Sequence, residues 1–172
     1  RIMMVDIDQQ VVDLCREYLE QWHRGSFEDA RVELNFMDAR RYLEETEEQF
    51  DIIISDLTEP AEAGPSYLLF TRQFYEIVKK RLAPGGILAV QAGGLSLDYM
   101  DIHAAVRNTL RQVFRKLRSY HTHVPSFDSS WGFIIASDLH DPLVLDREEV
   151  DRRLAAAGQQ LKFYDGETHE GL

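Results

Sequence analysis

Two carboxylates, Asp56 and Glu59, are the side chains of this sequence best placed to do chemistry. They lie within FDIIISDLTEPAEAGP, residues 50–65. An ionised carboxylate holds an ammonium through charge-assisted hydrogen bonds and can take a proton from an amine. Two in one loop can hold both ends, or successive nitrogens, of a polycation; the alternative is a pair of acids on a solvated turn. Asp6 closes RIMMVD, where a carboxylate can accept two hydrogen bonds from a ribose diol. Asp38 follows RVELNFM and either accepts from an exocyclic amine such as that of adenine or caps a helix. Gln91 ends ILAVQ and either orients a substrate nitrogen or rests as a satisfied buried amide. Phe127 and Trp131 can wall an amine site by cation–π contact, or simply pack. His121 and His123 alternate along one strand with no third ligand nearby in sequence, so zinc is not expected. The sequence has no G-x-S-x-G elbow, phosphate loop or HExxH.

These residues need elements to position them. Residues 50–55 form a short β-branched run that reads as a strand buried on both faces. Pro60, Gly64 and Pro65 then keep the following loop from turning helical too early. In an open parallel sheet, ligands bind beyond the carboxyl ends of the strands, which is where Asp56 stands. The periodicity predicts strands over 1–8, 31–36, 50–55, 87–91, 116–123 and 131–137. It predicts helices over 9–22 behind an Asp8 cap, from Asp38 to about 45, and over 67–82, 97–114 and 146–157. Strands alternating with helices mean a parallel α/β sheet. The loop 125–130 is too short for a crossover helix, so the last two strands pair antiparallel. The expected fold class is α/β, a Rossmann-like class I methyltransferase fold. Its sheet is mostly parallel with an antiparallel edge strand, and it lacks the first strand and the Gly-rich loop that would hold a nucleoside.

Composition narrows the partners. The 172 residues suffice for one domain, 1–172, with a real core. With 30 acidic and 19 basic residues the net charge is −11. That argues against a nucleic-acid partner and permits a cationic one. No apolar run approaches the ~18 residues of a membrane span. Cys15 is the single cysteine, which rules out an internal disulfide and a cysteine metal site. The chain opens on Arg1 and runs straight into a strand with no leader, so a cytoplasmic location is expected.

Six segments in order, VDIDQQVV, NFMDARRYL, FDIIISDLTEPAEAGP, LFTRQFY, APGGILAVQAG and VPSFDSSWGF, resemble the polyamine aminopropyltransferases, the spermidine synthase family. The loop DLTEPAEAGPSY together with VPSFDSSWGF is most similar to the thermospermine synthase-like branch. The resemblance implies transfer of the aminopropyl group of decarboxylated S-adenosylmethionine to an amine acceptor, releasing 5′-methylthioadenosine. It implies no metal and no redox cofactor, only small-molecule substrates, and a homo-oligomer in the full-length protein. It makes Asp56 the acid that deprotonates or polarises the attacking amine and gives Glu59 a share in binding it. Asp6 would take the ribose, Asp38 the adenine amine and Pro65 the adenine face, while Gln91 and Phe127 would line the amine site.

Departures from the family pattern are specific. Glu59 stands where an Asp is usual, adding a methylene, and Phe127 where many members have Tyr, removing a hydroxyl. The N-terminal β-domain, the first strand and its Gly-rich loop are not matched, so the chain reads as a domain fragment, inactive by itself. A sheet without its central strand is expected to leave an open edge, rearrange, or borrow a strand from another copy. A methyltransferase of the same fold, or a non-catalytic domain, are the competing readings.

Overall fold

A computed structural model describes residues 1–60, 64, 66–158 and 161–172. It resolves into two compact units, Arg1–Glu48 and Gln49–Leu172.

In the first unit β1 (Ile2–Asp6) and β2 (Val32–Phe36) pair in parallel, in register from Ile2↔Val32 to Asp6↔Phe36. Asp8 starts α1 (Gln9–Tyr18) by accepting from the amides of Gln10 and Val11, which satisfies donors a helix leaves unpaired at its start. The sequence predicts one helix over 9–22. The backbone instead leaves helical geometry at Leu19 and resumes as a short turn, α2 (Glu20–His23). Trp22 is largely exposed, so its apolar periodicity has no packing to sustain the helix. Asp38 accepts from Arg41 N and starts α3 (Ala39–Glu45), as its sequence context predicts. Val12 and Leu43 are the buried apolar residues of these helices.

The second unit carries a four-stranded sheet of β3 (Phe50–Ser55), β4 (Leu82–Gly94), β5 (Lys116–Val124) and β6 (Ser129–Ser137), in the order β3-β4-β6-β5. β3 and β4 are parallel; β6 runs antiparallel to both β4 and β5. The antiparallel pairing expected of the last two strands is therefore present, but the antiparallel strand is not at the edge: β6 lies between β4 and β5, and the edge strand β5 runs parallel to β4. Helices α4 (Arg72–Arg81) and α5 (Met100–Leu110) pack on this unit. Phe74, Tyr75, Val78, Val106 and Leu110 are buried with Leu88, Val90, Ile134 and Ala136 of the sheet. Helix α6 (Arg147–Ala156) starts at its Asp146 cap as predicted, and α7 (Gly166–Gly171) adds a short helix to what reads as a polar tail.

Several expectations need correcting. β3 is not covered on both faces: Ile52 and Ile54 are 60% and 74% exposed. The two side chains, two residues apart, point to one face of the strand, and among the described residues that face is left largely open. At its edge β3 has β4 on one side and, among the described residues, no strand on the other. Likewise, among the described residues β1 pairs with β2 alone, and the strands form two sheets, each with an open edge. Residues 67–82 are not one helix. Tyr67–Phe70 form a 3-10 turn, and Thr71 then caps α4 by accepting from Phe74 N. β4 begins earlier than predicted, at Leu82, α5 is shorter, and β6 begins at Ser129. Among the described residues no helix is long and apolar enough to cross a membrane.

Candidate active site

The ladder of β3 and β4 puts the first two candidates side by side. Ser55 is in register with Val90, so Asp56 and Gln91 are the residues that follow on adjacent parallel strands. Neighbouring strands lie about 4.8 Å apart, which brings both residues to one edge of the sheet. Asp56 is exposed and Gln91 half-buried. Ser55, just before Asp56, is buried, and its hydroxyl has no hydrogen-bond partner among the described residues.

Beyond Asp56, Thr58 and Glu59 are tied to Ser66. Thr58 Oγ1 donates to Ser66 Oγ (3.1 Å), and the Ser66 hydroxyl donates to the carbonyl of Glu59 (3.1 Å). Ser66 is itself buried, so this short relay fixes the backbone of Glu59 against the protein. Glu59 is half-buried and turns its carboxylate over the end of β4. Its Oε1 lies 3.2 Å from the point where a Cβ on Gly93 would be. Gln91 Oε1 accepts from Gly93 N at 2.9 Å. The amide NH2 is then the end of that side chain left to address a ligand.

Gly94, the next residue, is opposite Trp131 in β6, and the Trp131 ring lies over it, with Cζ3 3.5 Å from a Cβ placed there. Phe127 meets Trp131 with ring centroids 4.5 Å apart and planes tilted by 46°. Phe127 is 55% exposed, which leaves ring surface open to a cation. The Trp131 indole N–H is buried with no acceptor among the described residues. Thus Glu59, Gln91 and Trp131, with Phe127 against Trp131, gather around Gly93-Gly94 near the carboxyl end of β4, and Asp56 follows the adjacent strand β3. An ammonium guest there would meet carboxylates, an amide and the Phe127–Trp131 aromatic pair. Behind the sheet, His103 of α5 sits against Gly132, where any Cβ would collide with its ring, and its Nε2 pairs with Ser119 Oγ at 3.0 Å. Burial holds the His103 imidazole below its ordinary pKa; the nearby Ala92 carbonyl works against it and the charge of Arg107 adds to the lowering.

Comparison with known proteins then decides the family. Residues 1–145 match the spermine/spermidine synthase domain. The chain belongs to that family. It is 45% identical over 172 residues to a polyamine aminopropyltransferase 2 of Hyperthermus butylicus, covering 99% of this chain and 56% of that protein. It is 48% identical over 156 residues to a polyamine aminopropyltransferase 2 of Pseudomonas aeruginosa, covering 90% of this chain and 44% of that one. Among solved structures, a spermidine synthase in complex with the transition-state analogue AdoDATO superposes with a TM-score of 0.86 at 27% identity, over 98% of this chain and 56% of that chain. The spermidine synthase of Thermotoga maritima gives 0.83 at 26% identity, over 98% and 55%. The chain therefore spans about half the length of the family relatives it matches, and its fold is the Rossmann-like α/β fold of these synthases.

In the family frame, the remaining candidates fall on the first unit. Asp6 ends β1, and Asp38 follows β2 by two residues; the amide of Met37 between them donates to the Asp6 carbonyl at 2.9 Å. Both acids thus stand at the carboxyl edge of that small sheet. Asp6 Oδ1 accepts from Asp8 N at 2.8 Å, and Asp38 Oδ1 is engaged in the α3 cap. Among the described residues the second carboxylate oxygen of each has no hydrogen-bond partner. Pro65 lies outside the described residues. Among the described residues no group of three His, Cys, Asp or Glu side chains is placed to hold a metal. The residues that sequence reading missed are Ser66 and Gly93. The Gly93-Gly94 pair that ends β4, two residues beyond the predicted strand, is the available signal, since glycine in a strand marks a close approach to the backbone.

Proposed function

We propose that the protein containing this chain transfers the aminopropyl group of decarboxylated S-adenosylmethionine to an amine. The acceptor is putrescine, giving spermidine, or a longer amine such as spermidine, giving thermospermine. The observation that carries this reading is the register that sets Asp56 and Gln91 directly after the paired Ser55 and Val90, with Glu59 turned over Gly93, in a chain of the spermine/spermidine synthase family.

The chemistry fits these groups. An ammonium has no lone pair, so the attacking nitrogen must first give up a proton; Asp56 takes it. The freed lone pair forms the new C–N bond at the propyl carbon attached to sulfur. The C–S bond breaks, its electron pair returns to the sulfonium, and neutral 5′-methylthioadenosine leaves. A sulfonium is already an activated leaving group, so no metal or redox cofactor is needed. Alignment of nitrogen, carbon and sulfur supplies much of the remaining acceleration. Glu59 and the Phe127–Trp131 pair hold the ammonium ends. Asp6 takes the ribose hydroxyls, Asp38 the adenine amine and Pro65 the adenine face. The charge of −11 suits a polycationic substrate rather than nucleic acid. We place the protein in the cytoplasm, as a homo-oligomer in its longest form.

The test uses these 172 residues and, in parallel, the longest natural chain that contains them. Each is given decarboxylated S-adenosylmethionine with putrescine, agmatine, cadaverine or spermidine, and products are read by mass spectrometry. One added aminopropyl group is the expected product of the longer chain. Methylated product from S-adenosylmethionine, with no aminopropyl product from any amine, would overturn the proposal.

A further inference from the structure

The reading above leaves the lengthened acid, Glu59, to be explained, and Gly93 supplies the explanation. Gly93 has φ +84°, a backbone region that favours glycine. A Cβ on it would lie 3.2 Å from Glu59 Oε1 on one side and 3.3 Å from Ile102 Cγ2 on the other. Ile102 is β-branched and belongs to α5, so it has little rotamer freedom with which to yield. The longer, flexible Glu59 is the side that would move. The same glycine donates its N–H to Gln91 Oε1, which fixes which end of that amide faces outward. Gly94 differs: a Cβ there would meet the Trp131 ring at 3.5 Å and Tyr99 Cβ at 3.6 Å, ordinary contacts.

Resting on the amine-binding reading of this site, we propose that Gly93 is a positioning residue for the acceptor amine: its missing side chain is the space into which the Glu59 carboxylate folds, and its N–H orients Gln91, so that a glutamate rather than an aspartate serves the ammonium group. Glu59 and Gly93 then work as a coupled pair, and neither is independent of the other.

A double-mutant cycle tests this in the longest natural chain, using Gly93→Ala, Glu59→Asp and the combination, with Gly94→Ala as control. Amine binding is read by calorimetry, and KM and kcat where turnover is present. Gly93→Ala is expected to weaken amine binding about tenfold, the scale of one charge-assisted hydrogen bond, with a smaller change in kcat. In the Glu59→Asp background the shorter acid clears the added methyl, and the same substitution is expected to change affinity less than about twofold. Gly94→Ala is expected to stay within about twofold throughout. Backbone strain from a non-glycine at positive φ is common to both backgrounds, so it cannot mimic the coupling. If Gly93→Ala fails to fold, as judged by thermal melting, Gly93→Asn takes its place, because asparagine tolerates positive φ yet carries a Cβ. Equal losses in both backgrounds, or no loss in either, overturn the inference while leaving the proposed function intact. A parent protein that binds no amine overturns both.

Discussion

At one end of the four-stranded sheet a buried hydroxyl and an ion pair are tied down; at the other, polar groups are presented. At the first end, the fully buried Ser137 donates to the Gly86 carbonyl at 3.0 Å and accepts from the amides of Leu139 and His140. Nearby, Lys79 Nζ reaches Asp138 at 2.6 Å and the Val113 carbonyl at 2.7 Å, and lies over the Phe114 ring. At the second end, Asp56 is exposed, Glu59 is held by its backbone with its carboxylate free to swing, and Phe127 bares a ring face. The difference teaches where function resides. Groups satisfied within the fold stabilise it, whereas groups left to be satisfied by a ligand at the carboxyl ends of parallel strands recognise one.

Substitutions can break that contrast, and the largest effect on stability is expected between the two ends. Ile134→Ala removes a fully buried side chain and should cost about 2–5 kcal/mol in chemical denaturation, with no specific effect on amine affinity. Ser137→Ala leaves the Gly86 carbonyl and two amides without that partner and should cost about 1–3 kcal/mol. An equal loss of amine binding at matched folded fraction would show that the two ends are not separable. Lys79→Met breaks a pair that is more than a third exposed on each side, so the expected cost is at most about 1 kcal/mol. Burial pushes the Asp138 carboxyl up, but the bonds from Lys79 and the Arg115 amide outweigh it and hold the group below the usual carboxylate range. That contribution is present above the unfolded carboxylate pKa and lost as pH falls through the lowered one. Lys79→Met should therefore flatten the acid side of the stability profile.

The smallest effect concerns His103. Its imidazole is held low by burial, so the unfolded chain binds the proton more readily. Stability should be fully present above about pH 6.5 and decline below it as pH falls. His103→Gln should remove that slope, measured as the unfolding midpoint between pH 7.5 and 5.5.

Local signals made the second end legible from sequence. The β-branched run 52–54 marked the strand, and Asp56 at its end followed from the rule about carboxyl edges. Asp8, Asp38 and Asp146 announced helix starts that the structure contains. What local signals could not show was tertiary. The exposure of Ile52 and Ile54 depends on what packs against their face of β3, and no residue within β3 encodes that. The break at Leu19 reflects an apolar face without a partner, and the turn at Tyr67–Phe70 reflects Thr71 winning the cap over a continuous apolar stripe. The relay Thr58–Ser66–Glu59 spans loop residues with no periodicity at all.

The most direct test of the central claim is the turnover of Asp56→Asn against the unchanged protein. Both are measured in the longest natural chain, at saturating amine and decarboxylated S-adenosylmethionine, with melting curves alongside. A fall in kcat of about 100-fold or more, the usual scale for a lost general base, with an unchanged melting temperature is the expected result. Undiminished aminopropyl transfer by Asp56→Asn would contradict the account and move the chemistry away from the carboxyl ends of β3 and β4.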